Sequence, residues 1–274
     1  MTKLSTLSIH EKVLVKLFNQ NEQLTLFDIG ACEGLSSLKY LTLFPFSLVY
    51  AFEPVPKNFE LILKNKEKFK LKNLNAFQIG LSSSKEKSTF YLSSGKPPNK
   101  DKPLDNSIDF GNKSSSLYRP DKTKEVHPWL KFNETITIQT DTLDNFCSDK
   151  NISSIDFIHM DVRGAELLVL EGGKKILPKI KGIWLEVEKI TLYEKQALKK
   201  DIELFLLKHN FICILNKVNH ISGDQFWIKK DFFDKKDKQT KIFLFYLKAK
   251  VQLKSIFSTF FGQISYNIKK LMKI

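Results

Sequence analysis

The sequence predicts an α/β fold with a mostly parallel sheet, and three observations carry this prediction. Residues 24–53 contain an apolar strand, a glycine turn, a short helix and a second apolar strand that ends in Glu53. Further apolar segments at 74–79, 155–160 and 183–188 alternate with helical patterns, as in βαβ units. The chain of 274 residues, 42% hydrophobic, is long enough for one α/β domain with additions at its ends.

The remaining elements follow from periodicity and from turn residues. Residues 5–20 and 57–69 have helical spacing, and a strand at 89–92 precedes a polar stretch, 93–133, from which a strand at 134–140 returns. A helix near 195–209 and strands near 211–215 and 225–228 complete the predicted sheet. Forty residues without periodicity are typical of a lid or binding loop, which we expect at 93–133.

The organisation predicted from these patterns has three parts. Residues 1–23 form an N-terminal helix, 24–247 the main domain, and 248–274 a basic amphipathic C-terminal helix. From residue 253 onward, apolar residues recur at three- and four-residue steps, but the segment is too polar to span a bilayer. Its apolar stripe either packs on protein, in the same chain or a second subunit, or anchors the chain to anionic lipid.

The turn after the first strand outlines a nucleotide pocket. Asp28 ends that strand, Gly30 and Gly34 open the turn, and Glu53 ends the next strand, where a carboxylate can accept both ribose hydroxyls. The turn lacks the third glycine of a dinucleotide fingerprint. It also carries Glu33, which would repel a pyrophosphate but tolerate a sulfonium and an ammonium group. The turn therefore favours S-adenosylmethionine over NAD.

Four later segments, in this order and spacing, resemble the FkbM family of S-adenosylmethionine-dependent methyltransferases. They are E-P-V-P-K-N-F at 53–59, S-S-S-L at 114–117, T-D-T-L-D at 140–144 and I-D-F-I-H-M-D-V-R-G-A-E at 155–166. The resemblance covers roughly residues 24–190. It implies a class I methyltransferase fold, which is Rossmann-like, and O-methylation of a saccharide or related hydroxylated metabolite.

The resemblance also implies roles for individual residues. The cofactor positions are Asp28, Gly30, Ala31, Gly34, Glu53 and Pro54, and the fourth-strand signature is Asp161, Gly164 and Glu166. Two positions depart from the family pattern. Arg163 stands where an acid is usual, and His159 stands where a lysine is common, so the departures affect the substrate half of the site.

The candidate catalytic groups lie at the ends of the fourth and fifth strands. Asp161 is the first candidate for general base, with a structural acid that caps the next helix as the alternative. Glu186 and Glu188 share one face of the fifth strand, where one closes the acceptor pocket. His159 shares the face of Asp161 and is either a base or a buried, hydrogen-bonded histidine. Nothing in the spacing requires a metal.

The candidate substrate contacts are polar residues beside these motifs. Arg119 and Arg163 are the only arginines among 44 basic residues, and each falls next to a motif. Either this placement is chance, or one or both arginines bind a carboxylate or phosphate of the acceptor through two parallel hydrogen bonds. Ser115 and Ser116 of the serine cluster are grouped with them, as is Glu188.

The amino-acid composition limits the possible partners and the cellular compartment of the protein. The net charge of +14 comes almost entirely from lysine, which disfavours nucleic acid as a partner and reflects either the coding bias of the source genome or a membrane surface. Three scattered cysteines and a polar N-terminus predict a cytoplasmic protein, with peripheral membrane contact through 249–274 and oligomerisation left open.

The combined prediction is an S-adenosylmethionine-dependent O-methyltransferase acting on a small-molecule or glycan acceptor, neutral or anionic. Two alternatives remain at this point. One is a nicotinamide-dependent Rossmann oxidoreductase, which the missing third glycine opposes. The other is a non-catalytic, membrane-associated protein that retains the fold, for which Arg163 is the best supporting feature.

Overall fold

A computed structural model of the chain describes residues 6–96 and 110–253. The strands are β1 (Thr25–Ile29), β2 (Leu48–Phe52), β3 (Leu74–Phe77), β4 (Gly80–Leu81), β5 (Lys87–Ser94), β6 (Lys131–Asp141), β7 (Ile155–Met160), β8 (Ile180–Glu188), β9 (Phe211–Val218) and β10 (Ser222–Lys229). The helices are α1 (Ile9–Leu17), α2 (Leu35–Leu43), α3 (Pro56–Lys68), α4 (Thr123–Val126), α5 (Leu143–Asp149), α6 (Glu166–Glu171), α7 (Lys199–Lys208), α8 (Lys230–Asp234) and α9, which covers residues 238–253. Short 3-10 helices lie at Phe110–Ser114 and Leu177–Lys179.

The main sheet has the strand order β3-β2-β1-β7-β8-β10-β9. The strands from β3 to β8 are parallel, whereas β10 is antiparallel to both β8 and β9. Because the parallel strands share one direction, the carboxyl ends of β1, β2 and β7 meet at one edge of the sheet. The mostly parallel sheet with flanking helices confirms the predicted class I methyltransferase fold.

Both faces of the sheet are covered by apolar side chains. Successive residues of β1 point to opposite faces, so Leu26 lies in the core under α1, α2 and α9, and Phe27 lies in the core under α5, α6 and α7. The parallel strands β1, β2 and β7 are mostly apolar and buried, as expected of parallel strands covered on two sides. This burial fixes the strand ends that carry the polar residues.

The polar stretch predicted at 93–133 is folded in its described parts, 93–96 and 110–133. The strands β5 and β6 form a long antiparallel pair, and the 3-10 helix Phe110–Ser114 packs against β5. Isolated bridges join Tyr91 to Ser116 and Pro120 to Tyr193. Residues 97–109 of the predicted loop lie outside the described residues. The prediction missed these contacts because they are made over long sequence distances.

The C-terminal helix begins earlier than the sequence predicts. Helix α9 starts at residue 238, ten residues before the boundary expected at 248, and residues 254–274 lie outside the described part of the chain. The cause is a run of apolar residues that hides the helical period. Leu244 and Leu247 pack inward on the core, whereas Ile242, Phe245 and Tyr246 point outward and are exposed.

Candidate active site

A cavity of about 200 Å³ opens at the carboxyl ends of β1, β2 and β7. It is lined by the turn after β1, the start of α3, the segment after β3 and the 3-10 helix Phe110–Ser114. Of the predicted cofactor residues, the lining includes Asp28, Gly30, Ala31, Glu53 and Pro54. Of the predicted catalytic and substrate residues, it includes His159, Asp161, Arg163 and Ser115.

The glycine turn is shaped by its contact with the β7 end. Gly30 has φ +82°, and a Cβ atom there would lie 2.0 Å from the carbonyl oxygen of Asp161. The backbone N–H groups of Gly30 and Ala31 both donate to the carbonyl of Phe52 at 3.0 Å. Gly34 begins α2 at φ +75°. These glycine conformations let the turn lie close to the ends of β2 and β7. The cavity forms where the ends of β1, β2 and β7 meet.

Glu53 is held by the backbone at the base of the cavity. Its Oε2 accepts from the N–H of Cys32 at 2.8 Å, and its Oε1 accepts from the N–H of Val55 at 2.9 Å. The residue is only 5% exposed, and this burial raises the pKa of Glu53 to about 7. The Asn58 side chain is a third hydrogen-bond partner of the carboxylate. The remaining lone-pair capacity of the carboxylate is open to a ligand hydroxyl.

Asp28 is a buried anchor of the turn. Its Oδ2 accepts from the Ser37 hydroxyl of α2 at 2.6 Å, and its Oδ1 lies 3.9 Å from Nδ1 of His159. Burial raises the pKa of Asp28 above its ordinary value. The carboxyl group therefore ties β1 to α2 and to the end of β7.

A row of hydrogen bonds runs from the cavity to α1. His159 Nδ1 lies 2.8 Å from the Tyr40 hydroxyl, which lies 3.4 Å from Nε2 of His10. Nδ1 of His10 is 3.2 Å from the Ser8 hydroxyl, and the His10 ring stacks on Trp184 at 4.7 Å between centroids. Burial and the neighbouring His159 lower the pKa of His10 to about 3, so His10 is neutral.

The guanidinium of Arg163 is already occupied by protein groups. Nη1 donates to Oε2 of Glu186 at 2.6 Å, Nη2 to Oδ2 of Asp161 at 3.3 Å, and Nε to the carbonyl of Lys113 at 2.8 Å. Burial alone would lower the pKa of Arg163, but Asp161 and Glu186 outweigh it and raise the pKa. The structure thus gives Arg163 three internal partners, and the contact with an acceptor anion, one of the two alternatives left open by the sequence, stays a prediction.

Two further glutamates beside Arg163 are buried and incompletely bonded. Glu166 and Glu188 are 0% and 1% exposed, and one oxygen of each, Oε2, has no hydrogen-bond partner among the described residues. Burial raises the pKa of Glu166 to about 7 and that of Glu188 to about 9. Neither Glu186 nor Glu188 lines the cavity, so the structure does not place them against an acceptor there.

The structure places Ser115, Ser116 and Arg119 in three different environments. Ser115 lines the cavity and its hydroxyl accepts from the N–H of Ser93 at 3.0 Å. Ser116 is fully buried, and its hydroxyl donates to the carbonyl of Arg163 at 2.7 Å, so it supports the backbone instead of facing an acceptor. Arg119 lies outside the cavity with a 68% exposed side chain that pairs with Glu194 at 3.8 Å.

Residues of the 3-10 helix complete the cavity and were missed by the sequence argument. Asn112 Nδ2 donates to Oδ1 of Asn58 at 3.0 Å, and Lys113 Nζ lies 3.5 Å from Oε2 of Glu33. Asn58 could have been found from the sequence, because it lies in the first turn of α3 and within the E-P-V-P-K-N-F segment. Asn112 and Lys113 carry no such signal, since they reach the cavity from a distant loop.

The residues present fit S-adenosylmethionine. Buried Glu53 offers a carboxylate to a hydroxyl donor. The lining carries four acidic side chains, Asp28, Glu33, Glu53 and Asp161, against two cationic ones, Lys113 and Arg163, and this excess of acids suits a cationic ligand. Apolar side chains of Ile79, Leu81 and Phe90 line the same cavity and offer a surface to a planar base. Within the described ranges, no group of three His, Cys, Asp or Glu side chains is arranged to hold a metal ion.

Comparison with known proteins decides the family. The model of the methyltransferase FkbM domain matches residues 28–213. The chain belongs to the FkbM methyltransferase family. It is 31% identical over 192 residues to 2-O-methyltransferase NoeI of Sinorhizobium fredii, covering 70% of this chain and 74% of that protein. It is also 28% identical over 155 residues to methyltransferase 1 of Beauveria bassiana, covering 53% and 56%.

Solved structures include TrmK of M. capricolum in complex with S-adenosyl-homocysteine. It is similar at a TM-score of 0.40 and 15% identity, over 80% of this chain and 67% of that chain.

As a member of this family, the protein is an S-adenosylmethionine-dependent methyltransferase. Its match to a 2-O-methyltransferase supports transfer to oxygen, and nothing in the comparisons supports the nicotinamide-dependent alternative. Among the described helices, none is long and apolar enough to cross a membrane.

Proposed function

We propose that this FkbM protein transfers a methyl group to a hydroxyl of a saccharide or a related small hydroxylated metabolite. The observation that carries the proposal is the cavity in which buried Glu53 and the His159 row meet. The relative named a 2-O-methyltransferase supports oxygen as the methyl acceptor. The 2-hydroxyl of a sugar, on the carbon next to the anomeric carbon, is therefore the acceptor to test first.

S-adenosylmethionine supplies a methyl group on a sulfonium, and the protein's part is to align the acceptor oxygen with it and to exclude water. Glu53 would accept the ribose hydroxyls of the cofactor at its end of the cavity. Asp28, Gly30 and Ala31 form the wall that connects this end to His159 and Asp161. A general base is needed beside that wall, because a sugar hydroxyl is a poor nucleophile at neutral pH.

We propose that His159 is this base. Neutral His10 can donate from Nδ1 to Ser8 and accept at Nε2 from the Tyr40 hydroxyl. The Tyr40 oxygen then accepts from Nδ1–H of His159, which leaves Nε2 as the unprotonated ring nitrogen. Asp161, the first candidate on sequence grounds, accepts from Arg163 at Oδ2 and lies 3.1 Å from Nε of Arg163 at Oδ1. We therefore propose that Asp161 holds the turn.

The experiment is methyl transfer from labelled S-adenosylmethionine to a panel of saccharides, including sugars with individual hydroxyls blocked. We expect label on a free sugar hydroxyl and none on the analogue blocked at that position. Transfer only to amine or thiol acceptors would refute the proposed acceptor class. In the same assay His159→Gln removes most turnover, whereas Asp161→Asn with retained turnover excludes Asp161 as the base.

A further inference from the structure

The outward face of α9 carries a row of exposed apolar side chains. Ile242, Phe245, Tyr246 and Leu253 are 55–60% exposed, and their spacing of three, four and eleven residues puts them on one side of the helix. The opposite side, with Leu244 and Leu247, is buried in the core. Helix α9 therefore has an apolar face on each side, and the residues that the structure describes cover only one of them.

Within α9 itself, all charged side chains are lysines. From residue 238 to the end of the sequence there are eight lysines and no aspartate or glutamate. Exposed Lys238 precedes Ile242 by one turn on the same face. Lys250 lies 5.9 Å from the ring of Tyr246, and Lys241 lies 5.7 Å from the ring of Phe233. The face thus combines aliphatic, aromatic and cationic side chains.

The charges decide which partner fits. In a symmetric contact between two copies, the same patch meets itself, so the lysines of one copy would oppose those of the other. Nucleic acid recognition prefers arginine and stacking aromatics, and it gives no role to exposed Ile242 or Leu253. An anionic lipid surface accepts both components, because the apolar row enters the headgroup boundary while the lysines meet lipid phosphates.

We propose that the outward face of α9, formed by Lys238, Ile242, Phe245, Tyr246 and Leu253, binds an anionic membrane surface. This inference goes beyond methyl transfer and does not depend on it. The helix would lie along the surface, and its buried side would remain in the domain core.

The test is cosedimentation of the full chain with phospholipid vesicles. One set consists of phosphatidylcholine and the other contains about one third phosphatidylglycerol. We expect binding to the anionic vesicles only, with a loss as salt is raised. The double variant Phe245→Ser with Tyr246→Ser lowers the bound fraction about tenfold or more by removing apolar area. Lys238→Gln with Lys250→Gln produces a similar loss at low salt, because Lys238 lies on the face and Lys250 beside the ring of Tyr246.

A matched control lies on another helix. Leu204 and Leu207 of α7 are 57% and 56% exposed, so Leu204→Ser with Leu207→Ser removes equal exposure without touching α9. This variant should bind like the wild type, and every variant should keep S-adenosylhomocysteine affinity. Three results would overturn the proposal: no vesicle binding, equal binding to neutral vesicles, or binding unchanged in the α9 variants. Light scattering that shows an oligomer lost only in the α9 variants, without vesicle binding, would assign the face to a second copy.

Discussion

The hydroxyl of Tyr40, on α2, lies 2.8 Å from Nδ1 of His159, at the end of β7. Tyr40 is 1% exposed and packs edge-on against the His159 ring, with centroids 5.8 Å apart. This contact fixes the ring of a cavity-lining histidine from behind. It also connects that histidine to His10 of α1, a helix that the sequence predicts only as a cover for the sheet.

We expect Tyr40→Phe to lower kcat about tenfold while leaving S-adenosylhomocysteine affinity unchanged, because it releases the orientation of His159 without removing the base. Tyr193→Phe is the matched control, since Tyr193 is also buried and its hydroxyl donates elsewhere, to the carbonyl of Ser114 at 2.7 Å. His159→Gln should lower kcat more, by roughly 100-fold or above. Equal losses in Tyr40→Phe and Tyr193→Phe would point to general destabilisation instead of a role for the row.

We expect Arg163 to stabilise the folded protein by pairing with Asp161 and Glu186. Arg163→Met leaves Glu186 and Asp161 without their cation, which should lower the free energy of unfolding by roughly 3–5 kcal/mol at pH 7. The measurement is urea unfolding. Adding Glu186→Gln should restore part of the loss in a double-mutant cycle. If Arg163→Lys instead raised only the KM of an anionic acceptor, with unfolding unchanged, the guanidinium would be a substrate contact as the sequence suggested.

Buried Glu188 predicts a stability that falls with rising pH. Burial raises its pKa to about 9 in the folded state, from an ordinary value near 4.5. The protonated form thus favours folding fully below about pH 4.5, and this contribution is lost as pH rises towards 9. Glu188→Gln should flatten the decline of unfolding free energy between pH 5 and 9. The exposed control Glu194→Gln should keep the wild-type slope.

Cofactor affinity should rise with pH through the titration of Glu53. Its pKa of about 7 means that the free protein holds a proton there in mildly acidic solution. Ribose hydroxyls donate to the carboxylate, so that proton must leave before binding. We expect S-adenosylhomocysteine affinity to fall about tenfold per pH unit well below pH 7 and to level off above about pH 8. Glu53→Gln should remove this dependence, and a slope that persists in the variant would assign it to another group.

The sequence predicts most of the sheet and the cofactor half of the site. Strands β1 and β2, the glycine turn and Glu53 lie within one continuous segment, so local periodicity and spacing determine their arrangement. The resemblance to the family is confirmed over residues 28–213. The reason for Gly30 is different from the one expected, since its nearest constraint is the Asp161 carbonyl of a neighbouring strand end.

The acceptor half could not be predicted in the same way. Arg163, Ser116 and Arg119 all lie close to motifs in the sequence, but only the folded chain shows what each side chain contacts. Ser116 is used by the Arg163 backbone, and Arg119 pairs with Glu194 at the surface. These partners are 47 and 75 residues away, respectively, and no periodicity records such pairs. The roles of the acceptor-side residues therefore remain predictions.

The central claim, that the cavity at the ends of β1 and β2 binds S-adenosylmethionine through Glu53, is tested most directly by isothermal titration. Wild type and Glu53→Ala would each be titrated with S-adenosylhomocysteine and with NAD at pH 8. We predict binding of S-adenosylhomocysteine but not NAD to the wild type, and a loss of roughly 1.5–3 kcal/mol in Glu53→Ala. Because this variant also leaves the N–H groups of Cys32 and Val55 without their acceptor, it is titrated below its melting temperature, where circular dichroism shows it folded. Unchanged affinity in Glu53→Ala, or tighter binding of NAD by the wild type, would contradict the account.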